Sequence, residues 1–128
     1  MDKPCALHLP NLAALSRLAP TLPPGLPRWM ERVLPGPWTV LLPARWVVLA
    51  RELGWPWPLV GLRVPDDARF RSLAEAVGAP LLMSSINPHG ADPLHGARLA
   101  EWLAQNGVPA AFDPHSVTHA AASAVVAF

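Results

Sequence analysis

The chain has 128 residues, 52% of them hydrophobic and only 15% charged, which fits one folded domain with a real core and excludes general disorder. A formal net charge of +1 makes the chain as a whole no electrostatic magnet for nucleic acid or anionic membrane. Cys5 is the sole cysteine, so no internal disulfide forms. No leader opens the sequence, and no apolar run reaches the ~18 residues needed to cross a bilayer, so a cytoplasmic, non-membrane protein is expected. Nine of the ten basic residues are Arg. With Ala, Leu and Pro so abundant, that bias reads as genome composition.

Cys5-Ala6-Leu7-His8-Leu9 reads as a short strand. Asn11 reads as the N-cap of a helix over 12–18. Residues 19–27 are proline-rich, with Pro23-Pro24-Gly25 as a turn. Arg28 to Leu34 predicts two helical turns, ended by Pro35-Gly36-Pro37. Trp38 to Leu42 is β-rich and stops at Pro43. Residues 45–53 are ambiguous between strand and helix. Gly54-Trp55-Pro56-Trp57-Pro58 reads as a rigid turn with part-exposed tryptophans. A strand over 59–64 follows. Asp66 or Asp67 then caps a helix to Val77, with Phe70, Leu73, Ala74 and Val77 on its buried stripe and Gly78 closing it. Strand 80–83 leads into a polar loop, 84–91. Asp92-Pro93 reads as the start of a helix carrying Leu99, Trp102 and Leu103, stopped at Asn106-Gly107. Short strands at 108–112 and 123–128 flank a loop with His115 and His119. Strands alternate with helices, so the fold class is α/β, with no repeat and no internal domain boundary.

Two segments carry the chemistry. Arg63 sits inside the apolar run Leu59-Val60-Gly61-Leu62-Arg63-Val64-Pro65, where a guanidinium belongs only if it meets an anion or reaches water. Ser84-Ser85-Ile86-Asn87 follows a second apolar run, at the carboxyl end of a strand, where open α/β sheets place ligands. On spacing alone, those hydroxyls and that amide bond their own turn. Thr39 opens a strand behind a rigid turn. His115 and His119 read as solvated loop residues, with no third metal ligand near them in sequence. Cys5 and His8, three apart on a strand, point to opposite faces and make no thiol–imidazole pair. No glycine-rich phosphate loop is present.

Taken together, these stretches resemble the Sua5/YciO/YrdC family. Pro35 to Ala44 is similar to its PGPxTxILPA segment, and Val60 to Asp66 to VGVRVPD. Pro80 to Gly90 is similar to PLxxTSANxSG, Asp2 to Leu7 to the KPLSLL strand, and Ser123 to Val126 to the terminal STVVD strand. The resemblance implies a twisted, open mixed α/β sheet with flanking helices. It implies a single domain over 1–128, shortened at the N-terminus to roughly the last two-thirds of the usual one. It also implies synthesis of L-threonylcarbamoyladenylate from L-threonine, bicarbonate and ATP, with Mg accompanying ATP, as a step toward the t6A modification of tRNA. By the same resemblance Arg63, Ser85 and Ser123 sit at threonine, Arg63 facing its carboxylate, and Thr39 and Asn87 sit at ATP. No covalent nucleophile is needed and no catalytic residue is assigned.

The sequence departs from the pattern in places. The family's KxR and PTDTxYGL motifs have no counterpart here. Ser84 and Ile86 replace a Thr and a small Ala, and the last strand lacks the usual Thr and Asp. The alternative reading is therefore a shortened, inactive paralogue: a nucleotide-binding or double-stranded-RNA-binding module, or one that self-associates through an exposed sheet edge.

Overall fold

A computed structural model describes residues 5–88, 90–94, 96–109 and 124–128. The described residues form two compact units, one through 5–83 and 124–128 and the other within 84–109.

The larger unit is a five-stranded mixed sheet: β1 (Ala6–His8), β2 (Trp38–Pro43), β3 (Leu59–Arg63), β4 (Leu81–Met83) and β5 (Ala124–Ala127). The strand order is β4-β1-β3-β2-β5. β1 runs parallel to β3 and β5 parallel to β2, whereas β4 is antiparallel to β1 and β2 antiparallel to β3. This is the open mixed α/β sheet that the sequence implies.

Alternation along the strands divides the sheet into two faces. Leu7, Val40, Leu42, Val60 and Leu62 are each at most 1% exposed and form the core face. Three short helices supply the other half of that core: α1 (Leu15–Leu18), α2 (Leu26–Val33) and α3 (Val48–Glu52), through Leu15, Met30 and Ala50. Asn11 does cap, accepting from Ala14 N at 3.2 Å, but it opens a 3₁₀ turn that passes into α1. α2 starts earlier than Arg28. Gly25 takes φ +90, and Pro27 fits the first turn, where no N–H bond is lost. The ambiguous segment resolves as a 3₁₀ turn, Ala44–Trp46, followed by α3. The turn after it is tied to its own neighbours. Trp55 Nε1 donates to Leu59 O at 3.0 Å, and Trp55 and Trp57 meet edge to face, both half-buried.

α4 (Ala68–Val77) begins at Asp67, whose carboxylate accepts from Phe70 N at 2.8 Å, and ends at Gly78 with φ +70. Its expected buried stripe is only half right. Ala74 is buried and Phe70 half-buried, but Leu73 and Val77 are 56% and 53% exposed. Only the Phe70–Ala74 row, one turn apart, is covered.

In the smaller unit, α5 (Gly96–Gln105) starts beyond Asp92-Pro93, which lie outside any helix. Leu103 is its buried residue. The helix stops where the sequence says, with Gly107 at φ +62 and Val108 N bonded back to Leu103 O. Residues 108 and 109 are not strand, and the rest of the expected strand at 108–112 lies outside the described residues. So do His115 and His119. Among the described residues, no helix is long and apolar enough to cross a membrane.

Candidate functional site

The second face of the sheet is where polar groups gather. In the register, Ala6 pairs with Gly61 and His8 with Arg63. Leu41 pairs with Gly61 and Val40 with Leu62, and one further step sets Thr39 across from Arg63. Arg63 is therefore flanked by His8 on one neighbouring strand and Thr39 on the other. Two backbone bonds fix this arrangement. Leu9 N donates to Arg63 O at 2.8 Å, and Gly36 N donates to Val64 O at 3.0 Å, tying the Pro35-Gly36-Pro37 turn to the end of β3. Gly36 has to be glycine there, because a Cβ would come within 2.8 Å of Val33 O.

The floor beside Arg63 is low. A Cβ on Gly61 would lie 3.2 Å from Ala6 Cβ and 3.3 Å from the Thr39 methyl. Gly61 thus lets two small neighbours close over it, leaving the face shallow next to a cation.

Arg63 is half-buried, and its Nε is buried with no hydrogen-bond partner. No carboxylate among the described residues pairs with it; Arg71 pairs with Asp66 at 3.6 Å on the surface. Burial lowers the Arg63 pKa from its ordinary value, though a guanidinium stays charged at any physiological pH. A desolvated, unpaired cationic donor destabilises the free protein and favours an anion that can take up its N–H groups.

His8 is the residue that sequence reasoning missed. It is 7% exposed, the one polar or charged side chain buried among the described residues. Its Nδ1 lies 3.0 Å from Ala6 O, which assigns the proton to Nδ1. Its ring meets Phe70 of α4 edge to face, centroids 5.8 Å apart. Desolvation lowers its pKa below 6.5, the Ala6 carbonyl opposes that, and the positive charge of Arg63 lowers it further. The available signal was its place in an apolar run, alternating with Leu7 and Leu9.

Ser85 and Asn87 belong to the smaller unit. Ser85 Oγ donates to Asn87 Oδ1 at 2.6 Å. Asn87 Nδ2 donates to Pro88 O at 3.1 Å and also to Ala91 O. Leu94 N closes the loop onto Ile86 O at 3.0 Å. The Asn87 amide thus locks the loop's own backbone. Ser123 lies outside the described residues. Of the five predicted site residues, Thr39 and Arg63 sit on adjacent strands and Ser85 and Asn87 share one hydrogen-bonded loop. An apolar cleft of about 350 Å³, lined by residues such as Pro23, Trp29, Trp46 and Phe128, includes none of them.

The Sua5/YciO/YrdC family model, described as "Telomere recombination", matches residues 1–128. The chain belongs to the Sua5/YciO/YrdC family. It is 37% identical over 86 residues to the threonylcarbamoyl-AMP synthase of Bos taurus, covering 66% of this chain and 30% of that protein. It is 36% identical over 86 residues to that of Homo sapiens, with 66% and 29% covered. The chain thus spans less than a third of the length of these relatives. Among solved structures, a double-alanine variant of P. abyssi Sua5 superposes with a TM-score of 0.78 at 25% identity, covering 98% of this chain and 38% of that one. P. abyssi Sua5 complexed with L-threonine gives 0.62 at 27% identity, covering 78% and 29%. The chain is therefore a Sua5-family, threonylcarbamoyl-AMP-synthase-like domain.

Proposed function

We propose that this domain binds L-threonine through its carboxylate at Arg63 and takes part in making L-threonylcarbamoyladenylate from L-threonine, bicarbonate and ATP, for t6A modification of tRNA. The observation that carries the reading is the buried, unpartnered Nε of Arg63, set beside Thr39 and the low floor at Gly61. A carboxylate takes up guanidinium N–H groups and offsets the charge at once. The related Sua5 structure holding L-threonine supports the same class of ligand. By the family pattern, Ser85 and Ser123 join Arg63 on threonine, and Thr39 and Asn87 serve ATP. Because the Asn87 amide is engaged by its own loop, its part is to fix that backbone.

The chemistry fits these residue types. The threonine amine adds to the bicarbonate carbon and water leaves, giving a carbamate. A carbamate oxygen then attacks the α-phosphorus of ATP, and diphosphate departs. Each step brings anions together, so a fixed guanidinium and neutral hydroxyl donors lower the barrier by orientation and charge stabilisation. Mg arrives with ATP.

Diphosphate release tests the reading. The chain should release diphosphate only when ATP, L-threonine and bicarbonate are all present, and Arg63→Met should abolish it. Release that does not depend on threonine contradicts the reading.

A second reading rests on the sheet edges. β4 and β5 are edge strands with Leu82, Met83 and Val125 at 42%, 39% and 61% exposure. Unpaired apolar edges favour self-association, which would make the domain an oligomeric module. A single monomeric boundary in sedimentation at high concentration counts against it.

A further inference from the structure

His8 is a buried polar residue that neither the sheet's packing nor the proposed chemistry accounts for. It lies beside Arg63 in the parallel register, spaced as neighbouring strands are, about 4.8 Å apart. Three elements face its ring. β3 contributes Arg63, β4 contributes its register partner Leu81, and α4 contributes Phe70. The charged groups at α4 and its cap are these. The Asp67 carboxylate caps Phe70 N, Arg71 turns to Asp66, and Arg69 and Glu75 are exposed. Arg63 is the one charged side chain among the described residues whose field acts on His8.

We propose that His8 is a positioning residue for Arg63: its uncharged imidazole, held between the Ala6 carbonyl and the Phe70 ring, walls the guanidinium in without neutralising it, and an anion bound at Arg63 is coupled to proton uptake at His8. This rests on the reading of Arg63 as a carboxylate clamp. A leucine here would wall Arg63 equally well but could not sense its charge. A carboxylate here would neutralise the cation and remove its affinity for ligand. Neutral histidine leaves the full charge for the ligand. When an anion arrives and cancels the Arg63 field, the cost of protonating His8 falls. By reciprocity, a protonated His8 then favours the anion.

The test is a pH titration of the histidine rings by NMR on the full chain, with His8→Gln identifying the His8 signal. Without ligand, His8 should titrate at lower pH in the wild type and in Arg63→Lys than in Arg63→Met. Saturating L-threonine should move the wild-type midpoint up and leave Arg63→Met unmoved. In calorimetry below about pH 6.5, down to the pH at which the threonine carboxylate begins to titrate, binding should tighten as pH falls. Each pKa unit gained by His8 gives up to about tenfold, and His8→Gln should be flat. An unchanged His8 midpoint in Arg63→Met overturns the inference whatever threonine does. So does threonine binding that leaves the wild-type midpoint where it was. A shifted midpoint in Arg63→Met, together with a wild type that binds no threonine, supports the pairing and sinks the threonine reading instead.

Discussion

Arg63→Met should make the free protein more stable while removing its ligand. In the free protein the Arg63 Nε is buried without a partner. A buried unsatisfied donor costs about 1–3 kcal/mol. Arg63 is only half-buried, so the lower end applies, and replacing the guanidinium with a thioether of similar length should recover about 1 kcal/mol. For a chain of this size that raises Tm by about 4 °C. Thermal unfolding followed by circular dichroism at neutral pH reads the change. Arg63→Ala should gain less, because it also loses the stem that packs over the sheet. A fall in Tm for Arg63→Met, with an unchanged folded spectrum, would mean that the guanidinium is satisfied in the free protein and that the argument for an anion site is wrong.

Other consequences follow from the same packing and capping. Leu62 is fully buried between Val40 and Leu7 on neighbouring strands. Leu62→Ala should therefore cost about 2–5 kcal/mol, read as a lower urea midpoint. Asp67→Ala removes the N-cap of α4 and should cost about 1 kcal/mol, with Asp67→Asn losing much less. The folded-state pKa of His8 lies below its unfolded value of 6.5. The unfolded chain therefore binds more protons in that window. The His8 contribution to stability is complete above about pH 6.5 and is lost as pH falls through the folded pKa. Denaturant midpoints should drop on acidification across that range, and the drop should be smaller in His8→Gln.

Strand positions were legible in the sequence because each core strand is an apolar run bounded by proline or glycine. Asn11 and Asp67 were legible as caps because a short polar side chain before a helical pattern has few other uses. Element boundaries were less so. α2 begins at Leu26 because Gly25 adopts positive φ, which an Arg28 start ignores. α5 begins at Gly96, beyond Asp92-Pro93, though that pair looks like a helix start. The exposure of Leu73 and Val77 could not be read from periodicity, which gives a stripe but not how far a sheet covers it. Arg63 was legible as a misplaced charge within an apolar strand. Its neighbours were not, because a pairing register that sets His8 and Thr39 on either side of it depends on strand order. β2 separates β1 from β3 in the chain, so local sequence carries no sign of the His8–Arg63 adjacency.

The central claim is that the cation on this sheet face takes the carboxylate of an amino acid. Calorimetric titration of L-threonine into the wild-type chain and into Arg63→Met tests it most directly. Loss of one charge-assisted contact should weaken binding by about 1.5–3 kcal/mol, roughly 10- to 150-fold. Threonine that binds both proteins equally well would contradict the account.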